Sequence, residues 1–161
     1  MRNIYLLRHA KSSWDDPAAT DFERVLNERG LRAALMMGEY AQRIGIRPEL
    51  VVCSTAARTR ETAAIFLPAV GISVDPIFTD KIYEATTGQL LELIAEIDNK
   101  FSSLLLIGHN PGIEGLTGVL TGENEIVPTA TLITISVDVD KWCNISPGCG
   151  RLVSIMRPKE L

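Results

Sequence analysis

Short apolar runs alternate along the chain with longer segments in which apolar residues recur at helical spacing. Six apolar segments predict the strands of a sheet, namely residues 4–7, 50–53, 72–78, 104–107, 130–137 and 152–156. Pro76 interrupts the third segment, which predicts a strand near an edge because proline cannot donate a hydrogen bond to a central ladder. The turn at Pro147 and Gly148 predicts that the last two segments form a closing hairpin or a crossing edge pair.

Four helices are predicted between these strands, over residues 27–44, 56–66, 88–97 and 110–120. Asn27 is the expected cap of the first helix, which ends before Gly45, and Pro68 follows the end of the second. In the fourth, Asn110 is the expected cap and Pro111 the first helical residue. The apolar positions at helical spacing in the first helix are Leu31, Ala34, Leu35, Ala41 and Ile44, and those of the third are Leu90, Leu93, Ile94 and Ile97.

The alternation of strands and helices predicts a three-layer α/β/α sandwich around a mostly parallel central sheet. Right-handed crossovers are expected, with helices covering both faces of the sheet. The chain has 161 residues, of which 46% are hydrophobic, and is predicted to form a single domain over residues 1–161. The connection over residues 10–26 is longer than most, so we expect it to be a functional loop.

Charge and cysteine content exclude several classes of protein. A formal net charge of -4 argues against a nucleic-acid partner, since such proteins usually display an excess of Lys and Arg. The chain has neither a signal-peptide core nor about 18 uninterrupted apolar residues, so a cytoplasmic protein that does not insert into membranes is expected. Three cysteines without a CxxC pair favour a reducing compartment and predict no disulfide framework and no metal site. Cys53 is interpreted as a buried thiol without a catalytic role.

The only two histidines follow predicted strands at the same end. His9 comes after Arg8 at the end of the first strand, and His109 follows Gly108 at the end of the fourth. Either one alone could be an ordinary loop residue. Because ligands collect beyond the carboxyl ends of parallel strands, the two together predict one shared pocket. Imidazole is the side chain best suited to nucleophilic and proton-transfer work at neutral pH.

Other polar residues follow the remaining strands, with Ser54 and Arg58 after the second and Tyr83 and Glu84 after the third, so that each connection is expected to contribute to one crevice. Arg58 lies in the first turn of a predicted helix that a hydroxyl of the Ser54–Thr55 pair can cap, and a cation there is unfavourable unless an anion offsets it. A bound phosphate would supply that anion. Asn110 and its neighbours would leave backbone donors free near His109. Arg58 could also be an ordinary solvated residue.

Three blocks resemble the signature motifs of the histidine phosphatase superfamily, which has the phosphoglycerate mutase-like fold. They are Arg8-His9-Ala10, the Ser54-to-Thr62 segment that contains Arg58, and Gly108-His109-Asn110, and they occur in the family's order. Further segments at residues 7–14, 26–30 and 82–85 are similar to the small phosphohistidine phosphatase branch related to SixA. The resemblance covers most of residues 2–120.

The resemblance implies a role for each matched residue. His9 would attack phosphorus and become transiently phosphorylated, while Arg8, Arg58 and His109 would hold the non-bridging oxygens. The guanidinium groups suit this task, and nearby arginines would lower the pKa of His9 and keep it neutral. No metal or other cofactor is then required.

Two further positions are implied with alternatives. Glu84 would be the general acid, with Asp80 as the second choice, although Glu84 could equally be a surface charge. Arg24 would line the rim of the site or form a salt bridge on the long loop. Lys11 and Trp14 lie in the same loop and could contact substrate, or Trp14 could pin the loop to the core.

The expected activity is metal-independent hydrolysis of a phosphate, with phosphohistidine on a protein as the leading substrate by resemblance. No inserted segment forms a lid, which favours a phosphorylated protein, although a small phosphorylated metabolite remains an alternative. A phosphoglycerate mutase-type isomerase would need an enclosed site that excludes water. A non-catalytic phosphate-binding module is the remaining alternative.

Overall fold

A six-stranded mixed sheet forms the centre of the protein in its computed structural model, which covers residues 1–161. The strands are β1 (Arg2–Arg8), β2 (Leu50–Ser54), β3 (Ile77–Thr79), β4 (Ser103–Gly108), β5 (Leu132–Val137) and β6 (Gly150–Met156). The helices are α1 (Glu28–Ile44), α2 (Ala57–Val70), α3 (Thr87–Ala95) and α4 (Gly112–Thr121). The strand order is β3-β2-β4-β1-β5-β6. Strands β3, β2, β4 and β1 run parallel to one another, and β5 is antiparallel to both β1 and β6. The predicted mostly parallel sheet is confirmed.

Helices cover both faces of the sheet. On β1, Tyr5 and Leu7 pack into the cluster that contains residues of α1 and α2, while Ile4 and Leu6 pack into the cluster that contains residues of α3 and α4. Because successive strand residues point to opposite faces, a strand buried on both sides is apolar at nearly every position. This explains the continuous apolar runs and confirms the three-layer arrangement.

The first helix buries only part of the predicted apolar face, since Ala34 and Ala41 are buried and the three larger residues are not. Asn27 caps it through its side chain, and Gly45 ends it in a left-handed conformation, as expected. However, Leu31, Leu35 and Ile44 are exposed, and the buried residues are Gly30, Ala34, Met37, Gly38 and Ala41. Small residues are buried because α1 packs closely on α2: a Cβ added at Gly38 would lie 2.5 Å from the Cβ of Ala69.

The second helix is longer than predicted. It continues through Pro68 to Val70 and ends at Gly71, whose φ of 84° is left-handed. Proline leaves the carbonyl of the residue four positions earlier without its helical partner. That residue is Ala64, and both Ala64 and Pro68 lie on the exposed face of α2, where water can satisfy the carbonyl. The predicted end before Pro68 is therefore wrong.

Several boundaries also shift at the other elements. The third strand is confirmed at the edge of the sheet, but it covers only residues 77–79 and follows Pro76. Pro111, and not Asn110, is the N-cap of α4, so that helix begins one residue later than predicted. The last two strands form an antiparallel pair in which β6 is the other edge.

Three further findings concern expectations from composition. None of the four α-helices combines the length and apolar character that a membrane crossing requires. All three cysteines are free thiols, and Cys53 is buried as predicted. Burial raises the pKa of the Cys53 thiol to about 12, which leaves it inert at neutral pH.

Candidate active site

The two histidines meet at the carboxyl ends of neighbouring parallel strands. Strands β1 and β4 pair in a register that places Arg8 opposite Gly108, and the backbone N–H of His9 donates to the carbonyl of Gly108 at 3.0 Å. The imidazole centroids of His9 and His109 are 5.2 Å apart. The prediction of one shared pocket is therefore confirmed in its geometry.

A pocket of about 300 Å³ surrounds these two rings. Its lining residues are Arg8, His9, Lys11, Ser12, Trp14, Arg24, Arg58, His109, Asn110 and Thr129. Six of the seven predicted site residues are in this set, and Glu84 is not. With four basic side chains and no carboxylate in the lining, the pocket suits an anion.

His9 is buried and held in one tautomer. Its Nδ1 lies 2.7 Å from the backbone carbonyl oxygen of Ala10. A carbonyl can only accept, so Nδ1 carries the proton and Nε2 keeps a free lone pair. Burial, and then the charges of Arg58, Arg8 and Arg24, lower the pKa of His9 from 6.5 to about 4, despite the opposing effect of the Ala10 carbonyl. The predicted direction is confirmed, although burial is the larger cause.

His109 is held by the hydroxyl of Ser54. The distance from His109 Nε2 to Ser54 Oγ is 2.8 Å, and that oxygen also accepts from the backbone N–H of Ala56 at 3.3 Å. Ser54 is fully buried and its hydroxyl has no acceptor other than His109 Nε2, so the hydroxyl proton goes to Nε2 and the proton of the ring is on Nδ1. Nδ1 is buried and has no partner within the protein, so it is a donor available to an oxyanion.

The pKa of His109 is lowered to about 3. Burial is the main cause, and the neighbouring His9 and Arg58 add to it. Both imidazoles are therefore neutral at pH 7, one with a free lone pair and the other with a free N–H. Ser54 does not cap α2 as the sequence suggested, since the N-cap is Ala56 and no side chain caps that helix.

One carbonyl orients both Arg8 and Asn110. Arg8 Nη1 and Asn110 Nδ2 each donate to the carbonyl oxygen of Val127 at 3.0 Å. Asn110 Oδ1 accepts from the backbone N–H of Glu114 at 3.3 Å, so its amide still bonds the first turn of α4 although it is not the cap. The buried Nε of Arg8 has no partner, which leaves the Arg8 guanidinium able to donate to a ligand.

Arg58 is buried, and Asp21 holds it in place. Arg58 Nη1 donates to the backbone carbonyl of Asp21 at 2.8 Å, and Nη2 lies 3.2 Å from Asp21 Oδ2. The same carboxylate accepts from Tyr83 at 2.6 Å and from Arg24 Nη1 at 3.0 Å. The hydrogen bond from Tyr83 is the main cause that lowers the pKa of Asp21, so its side chain is an anion at neutral pH.

Sequence reasoning did not identify Asp21, and it placed Tyr83 at the crevice without assigning it a contact. Tyr83 makes an edge-to-face contact with His109, with ring centroids 5.5 Å apart. It makes a second edge-to-face contact with Phe22, with ring centroids 5.0 Å apart. The available signal was an acidic residue three positions before Arg24 in an otherwise unexplained long loop. That spacing allows the ion pair that is observed, but it does not reveal the contact with Arg58.

Arg24 lies in the pocket and also forms the salt bridge that was the alternative prediction. Its guanidinium carbon lies 3.3 Å from the centroid of the Trp14 ring, and it donates to the hydroxyl of Ser12 and to the carbonyl of Ser13. Trp14 itself is 74% exposed, so it shapes the rim and does not pin the loop to the core.

Glu84 and Asp80 lie outside the pocket lining. Glu84 is exposed, makes no hydrogen bond through its side chain, and has a left-handed φ of 55°. Asp80 is exposed and accepts a hydrogen bond from the hydroxyl of Thr55. Neither carboxyl group contacts His9 or His109, and the role of Glu84 as general acid stays a prediction. No group of three or more His, Cys, Asp or Glu side chains has the arrangement that could hold a metal ion.

Comparison with known proteins identifies the family. The model of the histidine phosphatase superfamily (branch 1) matches residues 4–112. An uncharacterised protein of Mycobacterium tuberculosis is 30% identical over 95% of this chain and 100% of its own. A structure described as a candidate phosphohistidine phosphatase SixA, from Agrobacterium tumefaciens, is 32% identical, covers 98% of both chains and has a TM-score of 0.84. A structure of the same description from Nakamurella multipartitia is 27% identical, with a TM-score of 0.85 over 98% of this chain and 96% of its own.

The chain therefore belongs to the histidine phosphatase superfamily, and the matched range contains every residue that lines the pocket except Thr129. Within that superfamily it is a member of the SixA-type branch, as the similarity of the whole chain to the two SixA structures indicates. It is a phosphatase that acts on phosphorylated substrates.

Proposed function

We propose that the protein is a metal-independent phosphatase that removes phosphate from phosphohistidine on a protein, through a covalent intermediate on His9. The observation that carries this proposal is the state of His9. Its Nδ1 is bound to the Ala10 carbonyl, its pKa is about 4, and its Nε2 has a free lone pair in a pocket lined by three arginines. A neutral imidazole beside cations is suited to attack an electron-poor phosphorus.

The proposed reaction has two displacements. In the first, the free ring nitrogen of the substrate phosphohistidine takes a proton from solvent, Nε2 of His9 forms a bond to phosphorus, and the bond from phosphorus to the substrate ring breaks, so that the ring leaves as a neutral imidazole. In the second, water attacks the same phosphorus, the bond to Nε2 breaks, and dihydrogen phosphate leaves with both protons of the water. Arg8, Arg58 and the Nδ1–H of His109 would stabilise the oxygens in both steps.

The protonation states favour a substrate with a good leaving group. Asp21 is an anion and both histidines are neutral, so none of these groups offers an acidic proton at neutral pH. An alkoxide needs such a proton, whereas an imidazole has an ordinary pKa of about 6.5 and leaves with little help. This supports phosphohistidine over a serine or sugar phosphate, as does the description of the 32% identical structure.

The test is a rapid-quench experiment with intact-mass detection. The wild-type protein and His9→Ala are mixed with a phosphohistidine peptide at neutral pH, quenched at alkaline pH and weighed, while released phosphate is measured. We expect a phosphorylated species that forms and decays in the wild type only. A serine-phosphate peptide of the same sequence and a small sugar phosphate are run in parallel.

Each outcome has a distinct meaning. Faster turnover of the serine or sugar phosphate would contradict phosphohistidine as the substrate but keep a phosphatase. A phosphate group that returns to another position of the sugar would indicate an isomerase. Binding without modification of the protein or release of phosphate would indicate a non-catalytic module.

A further inference from the structure

A second, strongly basic depression lies directly beside the active-site pocket. We call it the basic cleft, with a volume of about 260 Å³. Its lining residues are Lys11, Arg29, Ala33, Pro128, Thr129, Arg157, Pro158 and Lys159. Lys11 and Thr129 line the active-site pocket as well, so the two depressions are neighbours that share a wall. A peptide bound at His9 that passes over these two residues would reach the cleft.

Three of the four cations in the cleft have no partner. Arg157 pairs with Glu125 at 2.9 Å and with Glu160 at 3.5 Å. Lys11, Arg29 and Lys159 are exposed and form no ion pair. No acidic residue lines the cleft, although the whole chain has a net charge of -4. Like charges gathered on one wall repel one another, and a bound anion would remove that repulsion.

The fold fixes the two sides of the cleft. The backbone N–H of Asn27 donates to the carbonyl of Lys11 at 3.0 Å, and a Cβ at Gly30 would lie 2.1 Å from that same oxygen. The loop after His9 is thereby held against the start of α1, with Lys11 near Arg29. Arg29 is in the first turn of α1, where the helix dipole disfavours a cation unless an anion is bound.

We infer that the basic cleft binds carboxylate side chains that flank the phosphorylated residue of a protein substrate. This inference rests on the proposed function and adds the sequence preference of that same site. In the active-site pocket, phosphate would meet the largely buried, hydrogen-bonded arginines Arg8 and Arg58. In the cleft, exposed cations without fixed partners match the polar rim of a protein interface, where charges select the partner. A second phosphate of a small molecule is the competing ligand.

The test compares two phosphohistidine peptides that differ only at the flanking positions, with Asp and Glu in one and Asn and Gln in the other. We expect kcat/KM to be about five to ten times higher for the acidic peptide at low salt, as several exposed ion pairs would give. The preference should fall towards one at high salt because exposed charges are screened. The double variant R29Q/K159Q should lose the preference and keep wild-type turnover of the neutral peptide.

The matched control is K141Q/R151Q, which removes two exposed cations elsewhere. Arg151 on β6 lies opposite Ser136 on β5, which in turn lies opposite Asn3 near the start of β1. His9 follows the other end of β1, so Arg151 is at the end of the sheet away from His9. This control should keep the full preference. Equal kcat/KM for the two peptides, or a preference that survives R29Q/K159Q, would overturn the inference.

A binding measurement separates this inference from the proposed function. His9→Ala is titrated with both labelled peptides and followed by fluorescence anisotropy. Tighter binding of the acidic peptide by His9→Ala, and loss of that difference in the triple variant H9A/R29Q/K159Q, supports the cleft. This holds even if the wild type turns over neither peptide, in which case only the proposed substrate fails. Stronger competition by propane-1,3-diyl bisphosphate than by the acidic peptide would overturn the choice of carboxylates.

Discussion

At the scale of single residues, the chemistry of the site depends on which ring nitrogen of each histidine carries the proton. The carbonyl of Ala10 determines this for His9, and the hydroxyl of Ser54 determines it for His109. These partners leave the two neutral rings with opposite properties, a free lone pair on His9 and a free N–H on His109. Asp21 orients Arg58, because its carboxylate and its backbone carbonyl both accept hydrogen bonds from the guanidinium.

Ser54→Ala should reduce kcat/KM on the phosphohistidine peptide by about two- to tenfold, which corresponds to the loss of one hydrogen bond. The tautomer of His109 should also become mixed, and long-range proton–nitrogen NMR can detect this because the protein has only two histidines. Ser136→Ala, at the end of the sheet away from the site, is the control and should change neither quantity. An unchanged tautomer in Ser54→Ala would contradict the role of the hydroxyl.

Glu84→Gln tests the predicted general acid. Because the Glu84 side chain is exposed and outside the pocket lining, it can act only on a leaving group that projects from the pocket. If Glu84 is the acid, the variant should slow hydrolysis of an alkyl phosphate by about a hundredfold or more and leave a phosphoramidate nearly unchanged. Steady-state kinetics on both substrates measures this, with Asp80→Asn measured beside it as the second candidate and the exposed Glu96→Gln as the control. Equal losses on the two substrates would exclude the acid role.

At the scale of the elements, close approach between backbones positions the loop that follows His9. The start of α1 contacts the carbonyl of Lys11 at Gly30, and α1 meets α2 at Gly38. Neither position tolerates a side chain, and apart from Met37 the buried face of α1 consists of glycine and alanine. Of the residues that the pattern placed inward, Ala34 and Ala41 are buried, whereas Leu31, Leu35 and Ile44 are exposed.

Gly30→Ala should destabilise the protein by about 1–3 kcal/mol, since its Cβ would lie 2.1 Å from the carbonyl oxygen of Lys11 and the loop would have to move. For a chain of this size each kcal/mol lowers Tm by about 2–4 °C. Gly88→Ala is the matched control in α3, where the nearest atom to an added Cβ is 3.9 Å away, and it should be neutral or stabilising. Calorimetry that finds Gly30→Ala as stable as the wild type would contradict this packing.

At the scale of the whole molecule, the buried cationic pocket links stability to pH. Folding lowers the pKa of His9 to about 4 and that of His109 to about 3, whereas both are near 6.5 in the unfolded chain. The unfolded chain therefore binds more protons below pH 6.5. The contribution of both histidines to stability is complete above that pH and is lost as the pH falls towards 4 and 3.

The free energy of unfolding should accordingly fall by about 2–4 kcal/mol between pH 7 and pH 5. Urea titrations at the two pH values measure the difference. The double variant H9Q/H109Q has no imidazole to protonate and should lose most of this dependence. A wild type equally stable at both pH values would show that the histidines titrate normally in the folded protein.

The sequence by itself determined the sheet, the family and the main site residues. Buried parallel strands require continuous apolar runs. Because β1 and β4 are parallel, the residues that follow each strand lie at the same edge of the sheet. Arg8, His9 and His109 could therefore be placed together before any coordinates. Pattern reasoning was less reliable at the ends of helices, as Pro68 and Asn110 show, because tertiary packing and solvent exposure decide where a helix can continue.

Only the tertiary structure decided the contacts between residues that are distant in sequence. Asp21 meets Arg58 across 37 positions, and Ser54 meets His109 across 55, with no periodicity that could announce either contact. The basic cleft likewise combines Lys11, Arg29 and Lys159 from three separate segments. Local patterns encode the strands and helices, but the buried face of α1, the protonation states and the charge clusters depend on distances in space, which exist only once the layers have packed.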